Sequence, residues 1–97
     1  MMFPKPKTFR SKPYLAFVRK HPCLVSDQLG AVVHHESLGQ NYMGGKPPDT
    51  HGVPLLQKYH DLLNAPGHIP REMWEEWNID PRIEIIKLLT EYLQEGK

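Results

Sequence analysis

The sequence predicts a small single domain of the α+β class, with an N-terminal helix, a β-hairpin, a long loop and three further helices. Two observations lead to this prediction. Apolar residues recur at helical spacing in four segments, whereas one segment holds two short apolar runs separated by a turn. In addition, ten prolines among 97 residues divide the chain into short elements, because proline interrupts both helices and strands.

The charges are unevenly distributed along the chain. Residues 1–20 contain six basic side chains and no acidic one, whereas residues 68–97 contain seven acidic and four basic side chains. The formal net charge is only +1, so this asymmetry indicates one positively charged face, with a merely solvated tail as the alternative.

The sequence also bears on the compartment. The single cysteine, Cys23, excludes an intramolecular disulfide framework and is typical of a reducing compartment. We find neither a signal peptide nor a run approaching the ~18 apolar residues of a membrane span. We therefore expect a cytoplasmic protein without a membrane partner.

The chain begins with a basic, proline-rich arm over residues 1–11, which we expect to be extended and flexible, and the folded domain covers residues 12–97. Ser11 is suited to cap the first helix, and Pro13 is tolerated in its first turn. The helix is expected to end at His21-Pro22, because the residue before a proline disfavours helical backbone.

Two short apolar runs predict the hairpin. Cys23–Val25 and Ala31–His35 are the expected strands, and residues 26–30 form the turn between them. Residues 38–52 make a long connection rich in glycine and proline. Loops of that length in so small a domain are usually functional or disordered.

Three helices are expected in the second half of the chain. Val53-Pro54 opens the first, which Ala65–Gly67 closes. Pro70 opens a short helix that runs to Trp77, and Asp80-Pro81 is a strong start signal for the last. The apolar residues of the last helix form a broad stripe: Ile83, Ile85, Ile86, Leu88, Leu89 and Leu93.

Three histidines are the main candidates for chemistry. His34 and His35 are neighbours on a strand and therefore point to opposite faces, so one can hold a metal ion while the other faces a substrate. His60 and Asn64 share one face of a helix, and imidazole and amide groups both bind metals. Asp49, in the loop before that helix, can orient a base or add a ligand.

The order of these motifs resembles the HNH-type ββα-metal nuclease superfamily, closest to the phage and prophage branch that includes the recombination-enhancement nuclease. That branch shares a double histidine, a glycine-rich loop with Lys-x-x-Asp, a Pro-Leu pair and a helical histidine. The matching residues here are, in order, His34-His35, Gly44-Gly45-Lys46, Asp49, Pro54-Leu55 and His60. The likeness covers roughly residues 12–95.

The resemblance implies a role for each of these side chains. His35 is the expected general base, and Asp49 the residue that orients it. His34 and His60 are the expected ligands of a divalent metal ion. Asn64 falls where the family often has a second helical histidine, so it is a weaker candidate ligand. Because asparagine in place of histidine weakens zinc binding, we expect Mg²⁺ or Mn²⁺, with Zn²⁺ as an alternative.

The resemblance also implies DNA as the partner. Lys46 and the backbone amides of Gly44 and Gly45 are expected to grip a phosphate. We expect Arg19 and Lys20 to make further DNA contacts. A recombination protein is a further candidate partner, and an oligomer would help so small a protein to hold DNA.

Related proteins often carry two cysteine pairs that bind a structural zinc ion. Three of the four sulfurs are missing here, so we expect no structural zinc. The resulting hypothesis is a metal-dependent endonuclease that hydrolyses DNA phosphodiester bonds in phage or prophage recombination or repair. Two alternatives stay open: a weakened nuclease fold that binds DNA or protein, and a helical interaction protein built on Met73–Trp77.

Overall fold

The computed structural model describes residues 8–38, 46–67 and 69–95. Within these ranges the protein forms four α-helices and one two-stranded antiparallel sheet, which confirms the α+β prediction. The elements are α1 (Lys12–Arg19), β1 (Val32–His35), a 3₁₀ turn (Asp49–His51), β2 (Gly52–Leu55), α2 (Gln57–Asn64), α3 (Pro70–Glu76) and α4 (Pro81–Glu95). No helix in the described ranges is long and apolar enough to span a membrane.

Helix α1 begins where its sequence predicts. The Ser11 side chain accepts a hydrogen bond from the Tyr14 N–H at 3.2 Å, and a proline occupies the first turn. The helix buries the side chains of Tyr14, Phe17 and Val18. Its N-terminus is therefore fixed both by the cap and by its packing on the core.

The sheet pairs β1 with a different segment from the one predicted. Its partner is β2, with Val32 opposite Leu55 and His35 opposite Gly52. The prediction of a strand at residues 23–25 is wrong. A hydrogen bond from the Cys23 N–H to the carbonyl of residue 28 (2.9 Å), together with a left-handed backbone at Asp27 (φ 60°), closes this segment into turns.

The helix start predicted at Val53-Pro54 is also wrong, because these residues lie in β2. All four residues of β2 are buried, and the Pro54 carbonyl accepts a hydrogen bond from the Leu24 N–H at 3.0 Å. Leu56 keeps an extended backbone (ψ 150°), so α2 begins only at Gln57. Its end at Asn64 agrees with the prediction.

Gly52 allows the end of β2 to approach β1 closely. A Cβ atom added at this position would lie 2.8 Å from Cγ1 of Val33 and 3.1 Å from the carbonyl oxygen of Asp49. Any side chain would therefore push the strands or the 3₁₀ turn apart. This close approach sets the distance between β1 and the turn that carries Asp49.

The core brings the sheet together with all four helices. Trp74 is buried, and its ring contacts that of Trp77 edge-on, with centroids 5.4 Å apart. The two tryptophans therefore pack inside the domain and do not form an exposed patch. The buried core residues are Tyr14, Phe17, Val18, Cys23, Val53, Leu55, Leu63, Trp74, Ile85 and Leu88.

Residues 9–11 pack against the domain, although the prediction placed them in the flexible arm. The Asp49 N–H donates to the carbonyl of Phe9 at 3.0 Å, and the Ser11 N–H donates to Oδ2 of Asp49 at 2.7 Å. The folded part of the chain therefore reaches back at least to Phe9. Residues 1–7 of the predicted arm lie outside the described residues.

Candidate active site

Two histidine rings meet between β1 and α2. The Nδ1 atoms of His34 and His60 lie 3.0 Å apart, and the ring centroids are separated by 5.2 Å. His34 is buried, whereas His60 is partly exposed. Two ring nitrogens at this distance either share one proton or bind one common ion.

Glu36 and Trp74 fix the orientation of His34. Oε2 of Glu36 lies 3.3 Å from Nε2 of His34 and accepts a hydrogen bond from Nε1 of Trp74 at 2.6 Å. Because a carboxylate can only accept, Nε2 of His34 carries the proton and its Nδ1 presents a lone pair towards His60. A carboxylate behind an imidazole in this way is the usual outer partner of a metal-binding histidine.

Glu36 stays ionised although it is buried. Burial alone would raise its pKa, but the hydrogen bond and charge of His34 and the hydrogen bonds from Trp74 and the Leu38 N–H outweigh that effect, so the pKa is lowered. The carboxylate therefore remains an acceptor for His34 at neutral pH.

The pKa of His60 is lowered, which favours the neutral form of its imidazole. Burial lowers it most and His34 lowers it further, and together these effects outweigh the nearby Asp61, which raises it. Asn64 contacts the far side of this ring, with Nδ2 3.4 Å from Nε2 of His60 and 3.0 Å from its carbonyl oxygen. The Asn64 amide nitrogen therefore faces the ring nitrogen that is turned away from His34.

His35 forms a second pair, with Asp49. Nε2 of His35 lies 2.8 Å from Oδ1 of Asp49, which is buried. Burial alone would raise the pKa of Asp49, but the hydrogen bonds from His35, the Ser11 N–H and Arg10 lower it below its ordinary value. The carboxylate therefore stays charged and holds the imidazole in one orientation.

Arg10 ties this second pair to the loop before it. Its Nη1 donates to Oδ1 of Asp49 at 3.2 Å and to the Pro47 carbonyl at 2.6 Å, and its Nη2 donates to the Lys46 carbonyl at 3.0 Å. Sequence reasoning counted Arg10 only as part of a basic arm and missed this role. No local pattern signals a contact between residues 39 positions apart.

Both pairs lie at the same end of the sheet. His34 pairs with Val53 and His35 with Gly52, so the two rings leave opposite faces of neighbouring β1 positions. The two predicted groups are therefore brought together: one histidine faces α2, and the other faces the turn that carries Asp49.

The predicted DNA contacts are spread more widely. Lys46 is exposed, and its backbone carbonyl accepts a hydrogen bond from Arg10, which also contacts Asp49. Gly44 and Gly45 lie outside the described residues. Arg19 and Lys20 lie at the other end of α1 from Ser11, about 12 Å away for eight helical residues. Their contact with DNA stays a prediction, at a distance from the histidines.

The histidine pair fits part of a metal site. Two ring nitrogens 3.0 Å apart are close enough to contact one ion. Among the described residues, however, no group of three or more His, Cys, Asp or Glu side chains is placed to hold a metal. The described residues thus bring two candidate ligands together, and a metal ion at this place stays a prediction.

Cys23 is part of the core. Its Sγ accepts a hydrogen bond from the Leu56 N–H at 3.3 Å, and the side chain is buried. Burial would raise the pKa of the thiol, but hydrogen bonds from Ser26, Leu56 and Val25 lower it overall. The thiol links the turn that begins at residue 23 to the segment between β2 and α2.

We expect Glu36→Gln to weaken metal binding by about 10–100-fold, the usual effect of losing an outer partner of a metal-binding histidine. A neutral amide no longer fixes the tautomer of His34. Titration calorimetry with Zn²⁺ measures the effect, and Glu75→Gln, an exposed change on α3, is the matched control. Equal affinities for both variants and the wild type would contradict this role for Glu36.

We expect Asp49→Asn to lower the free energy of unfolding by about 1–3 kcal/mol at pH 7, because three donors lose an anionic acceptor. The wild-type advantage is complete above the pKa of an unfolded aspartate, about 3.9, and disappears as the pH falls through the lower folded pKa. Denaturant unfolding at pH 7 and in acid measures it. Asp61→Asn, an exposed change on α2, is the control, and equal stabilities at pH 7 would contradict the prediction.

Fold and site together define a small α+β protein in which two histidine pairs share one end of a two-stranded sheet. The sequence model of the DUF968 family, described as proteins of unknown function, matches residues 1–91. The chain therefore belongs to this family. No curated protein and no solved structure matches it.

Proposed function

We propose that this protein is a metal-dependent endonuclease that hydrolyses DNA phosphodiester bonds. The observation that carries the proposal is the placement of two differently built histidine pairs at one strand end. The His34–His60 pair brings two ring nitrogens together where an ion could replace the proton between them, and the His35–Asp49 pair has the form of an oriented general base.

His35 is the proposed base. Asp49 accepts the hydrogen bond from Nε2 of His35, so Nδ1 of His35 keeps the lone pair that takes a proton from the attacking water. Arg10 and the Ser11 N–H keep Asp49 in place and charged. The imidazole therefore needs no reorientation when the reaction begins.

His34 and His60 would hold the metal ion, with Glu36 fixing the tautomer of His34. When bound, a divalent ion supplies Lewis-acid stabilisation of the phosphate and of the departing oxygen. Imidazole donors suit Zn²⁺ better than Mg²⁺ or Mn²⁺, so the His34–His60 pair favours Zn²⁺, the alternative metal of the sequence analysis.

The charge around the His35–Asp49 pair suits a phosphate backbone. Arg10 is partly exposed, and Lys12 and Lys46 are exposed near Asp49 at the start of α1 and before the 3₁₀ turn. Three cations here would attract DNA in a salt-dependent way. They support DNA as the substrate but do not select a sequence or a DNA structure.

A nuclease assay of the wild-type protein tests the proposal. Supercoiled plasmid, single-stranded DNA and branched DNA are incubated with Zn²⁺, Co²⁺, Mn²⁺ or Mg²⁺, and with EDTA. We expect cleavage of at least one substrate that depends on the metal and stops with EDTA. DNA that stays intact with every metal would contradict an active endonuclease.

The second candidate is a nuclease-like module that binds DNA or a recombination protein without cutting. Asn64 favours it, because the amide nitrogen at the expected third-ligand position faces the other ring nitrogen of His60. DNA binding that is unchanged by EDTA, without cleavage in any metal, would select this candidate.

A further inference from the structure

His51 and Glu36 exchange two hydrogen bonds at the first position beyond the paired strands. The Glu36 N–H donates to the His51 carbonyl oxygen at 3.1 Å, and Nδ1 of the His51 ring lies 3.1 Å from the Glu36 carbonyl oxygen. Because a carbonyl oxygen only accepts, Nδ1 of His51 carries the proton and is the donor. These two bonds extend the sheet by one residue beyond the pair of His35 and Gly52.

The imidazole of His51 takes the place of a backbone donor. In an antiparallel sheet, the two residues of a hydrogen-bonded pair exchange two backbone N–H···O bonds. The N–H of His51 donates instead to the Pro48 carbonyl at 2.9 Å and closes the 3₁₀ turn. The ring of the same residue supplies the second bond to Glu36, so the turn forms without loss of the link to β1.

This link joins the outer partners of the two histidine pairs. The Glu36 carboxylate lies behind His34. Asp49, which holds His35, begins the 3₁₀ turn that His51 ends. One half-buried histidine therefore fixes the backbone of one buried carboxylate relative to the backbone of the other.

The Glu36 carboxylate depends on where its backbone lies. Shortly after it the chain turns away from the sheet, since Leu38 has a left-handed backbone (φ 53°) and its N–H donates to Oε1 of Glu36 at 3.3 Å. Without the imidazole of His51, this strand end would lose one of the two hydrogen bonds that residues 36 and 51 exchange. Catalytic sites are sensitive to displacements of about 1 Å.

We propose that His51 is a positioning residue whose imidazole, bonded to the Glu36 carbonyl, keeps the Glu36 carboxylate behind His34. Through the same bond it holds the 3₁₀ turn, and with it Asp49, at its distance from β1. The effect of His51 on metal binding and cleavage rests on the proposed function, whereas its hydrogen bonds can be measured without metal or DNA.

NMR of the metal-free full chain tests this role at pH about 8, where an ordinary imidazole is neutral. Proton–nitrogen correlation spectra of the rings show which nitrogen carries the proton. We expect Nδ1 in His51 and Nε2 in His34 of the wild type. His51→Phe keeps a ring without the donor, and we expect both tautomers of His34 in this variant. His51→Asn keeps an N–H donor near the position of Nδ1 and should restore the single tautomer.

His21→Ala is the matched control, because Nδ1 of His21 also bonds a backbone carbonyl, that of Phe17, at 2.9 Å. It should leave the tautomer of His34 unchanged. A wild-type His51 protonated at Nε2 alone, or a single unchanged His34 tautomer in folded His51→Phe, would overturn the proposed role. Circular dichroism checks the fold, and His51→Ala replaces His51→Phe if the latter does not fold.

Titration with Zn²⁺ measures the consequence for the proposed metal site. We expect His51→Phe to weaken binding about tenfold, the lower end of the range for an outer partner, and His51→Asn to bind like the wild type. In a Glu36→Gln background His51→Phe should cause little further loss, because its effect passes through that carboxylate. An undiminished further loss would overturn this route. A wild type that binds no Zn²⁺ would contradict the proposed metal site, and the His34 tautomer in the metal-free variants would then decide the role of His51 alone.

Discussion

Replacing His35 with alanine is expected to slow DNA cleavage by about 10²–10⁴-fold, the usual contribution of a general base. The side chain lies at the end of β1, is only partly buried and is bonded to Asp49, so its loss removes the proposed base without removing a core residue. The initial rate of plasmid nicking under saturating metal measures the effect.

The matched control is His21→Ala. His21 follows the opposite end of α1 and contacts Phe17 and Glu91. It should leave the cleavage rate unchanged. A His35→Ala protein that nicks at the wild-type rate would remove the general-base assignment. A wild-type protein and a His35→Ala protein that are equally inactive would instead support the binding module.

Replacing His60 with alanine is expected to weaken Zn²⁺ binding by more than about 100-fold, which exceeds the loss caused by an outer-shell partner. Only one imidazole then remains at the gap between β1 and α2. Titration calorimetry measures the affinity, and cleavage should fall with it at metal concentrations that saturate the wild type.

Asn64→Ala tests whether Asn64 binds the metal ion or only lies beside His60. The Asn64 amide nitrogen faces the ring nitrogen of His60 that is turned away from His34, so we expect little change in metal affinity. If Asn64→Ala weakened metal binding as strongly as His60→Ala, the Asn64 amide would be a metal ligand. Its side chain would then rotate when the ion binds. Unchanged affinity in His60→Ala would place the ion elsewhere.

The elements that local signals specify were predicted well. Ser11 with a proline in the first turn fixes the start of α1, and Asp80 with Pro81 fixes that of α4, where the Arg82 N–H donates to Oδ1 of Asp80 at 3.0 Å. Caps and first-turn prolines act within one turn of the helix, so the sequence alone is enough to place them.

The strand pairing could not be predicted in the same way. Cys23–Val25 has the apolar pattern of a strand and lies close to β1 in the sequence, whereas Val53-Pro54 resembles a helix start. The left-handed backbone at Asp27 and the burial of all of β2 decide between them. Both depend on tertiary packing, which the pattern of a four-residue segment does not contain.

The candidate site was predicted in part. The resemblance singled out His34, His35, His60 and Asp49, and these four residues form the two pairs. Glu36 was missed, although it lies two residues after His34 and so on the same face of an extended chain. This two-residue spacing is enough to indicate Glu36 as a partner of His34 from the sequence.

Two other partners had no such signal. Trp74 lies 38 residues from Glu36 and was interpreted only as a packing residue, although it donates a hydrogen bond to the buried carboxylate. Arg10 reaches Asp49 across a comparable separation of 39 residues. Contacts of this kind appear only when the fold brings distant segments together.

The central claim is that two neighbouring histidines have different tasks. Metal affinity of His34→Ala and His35→Ala, measured side by side with Zn²⁺, tests it most directly, because the two variants remove the same side chain from adjacent positions of β1. We predict that His34→Ala loses metal binding and that His35→Ala binds the ion like the wild type. Equal losses in both variants, or wild-type affinity in His34→Ala, would contradict this division.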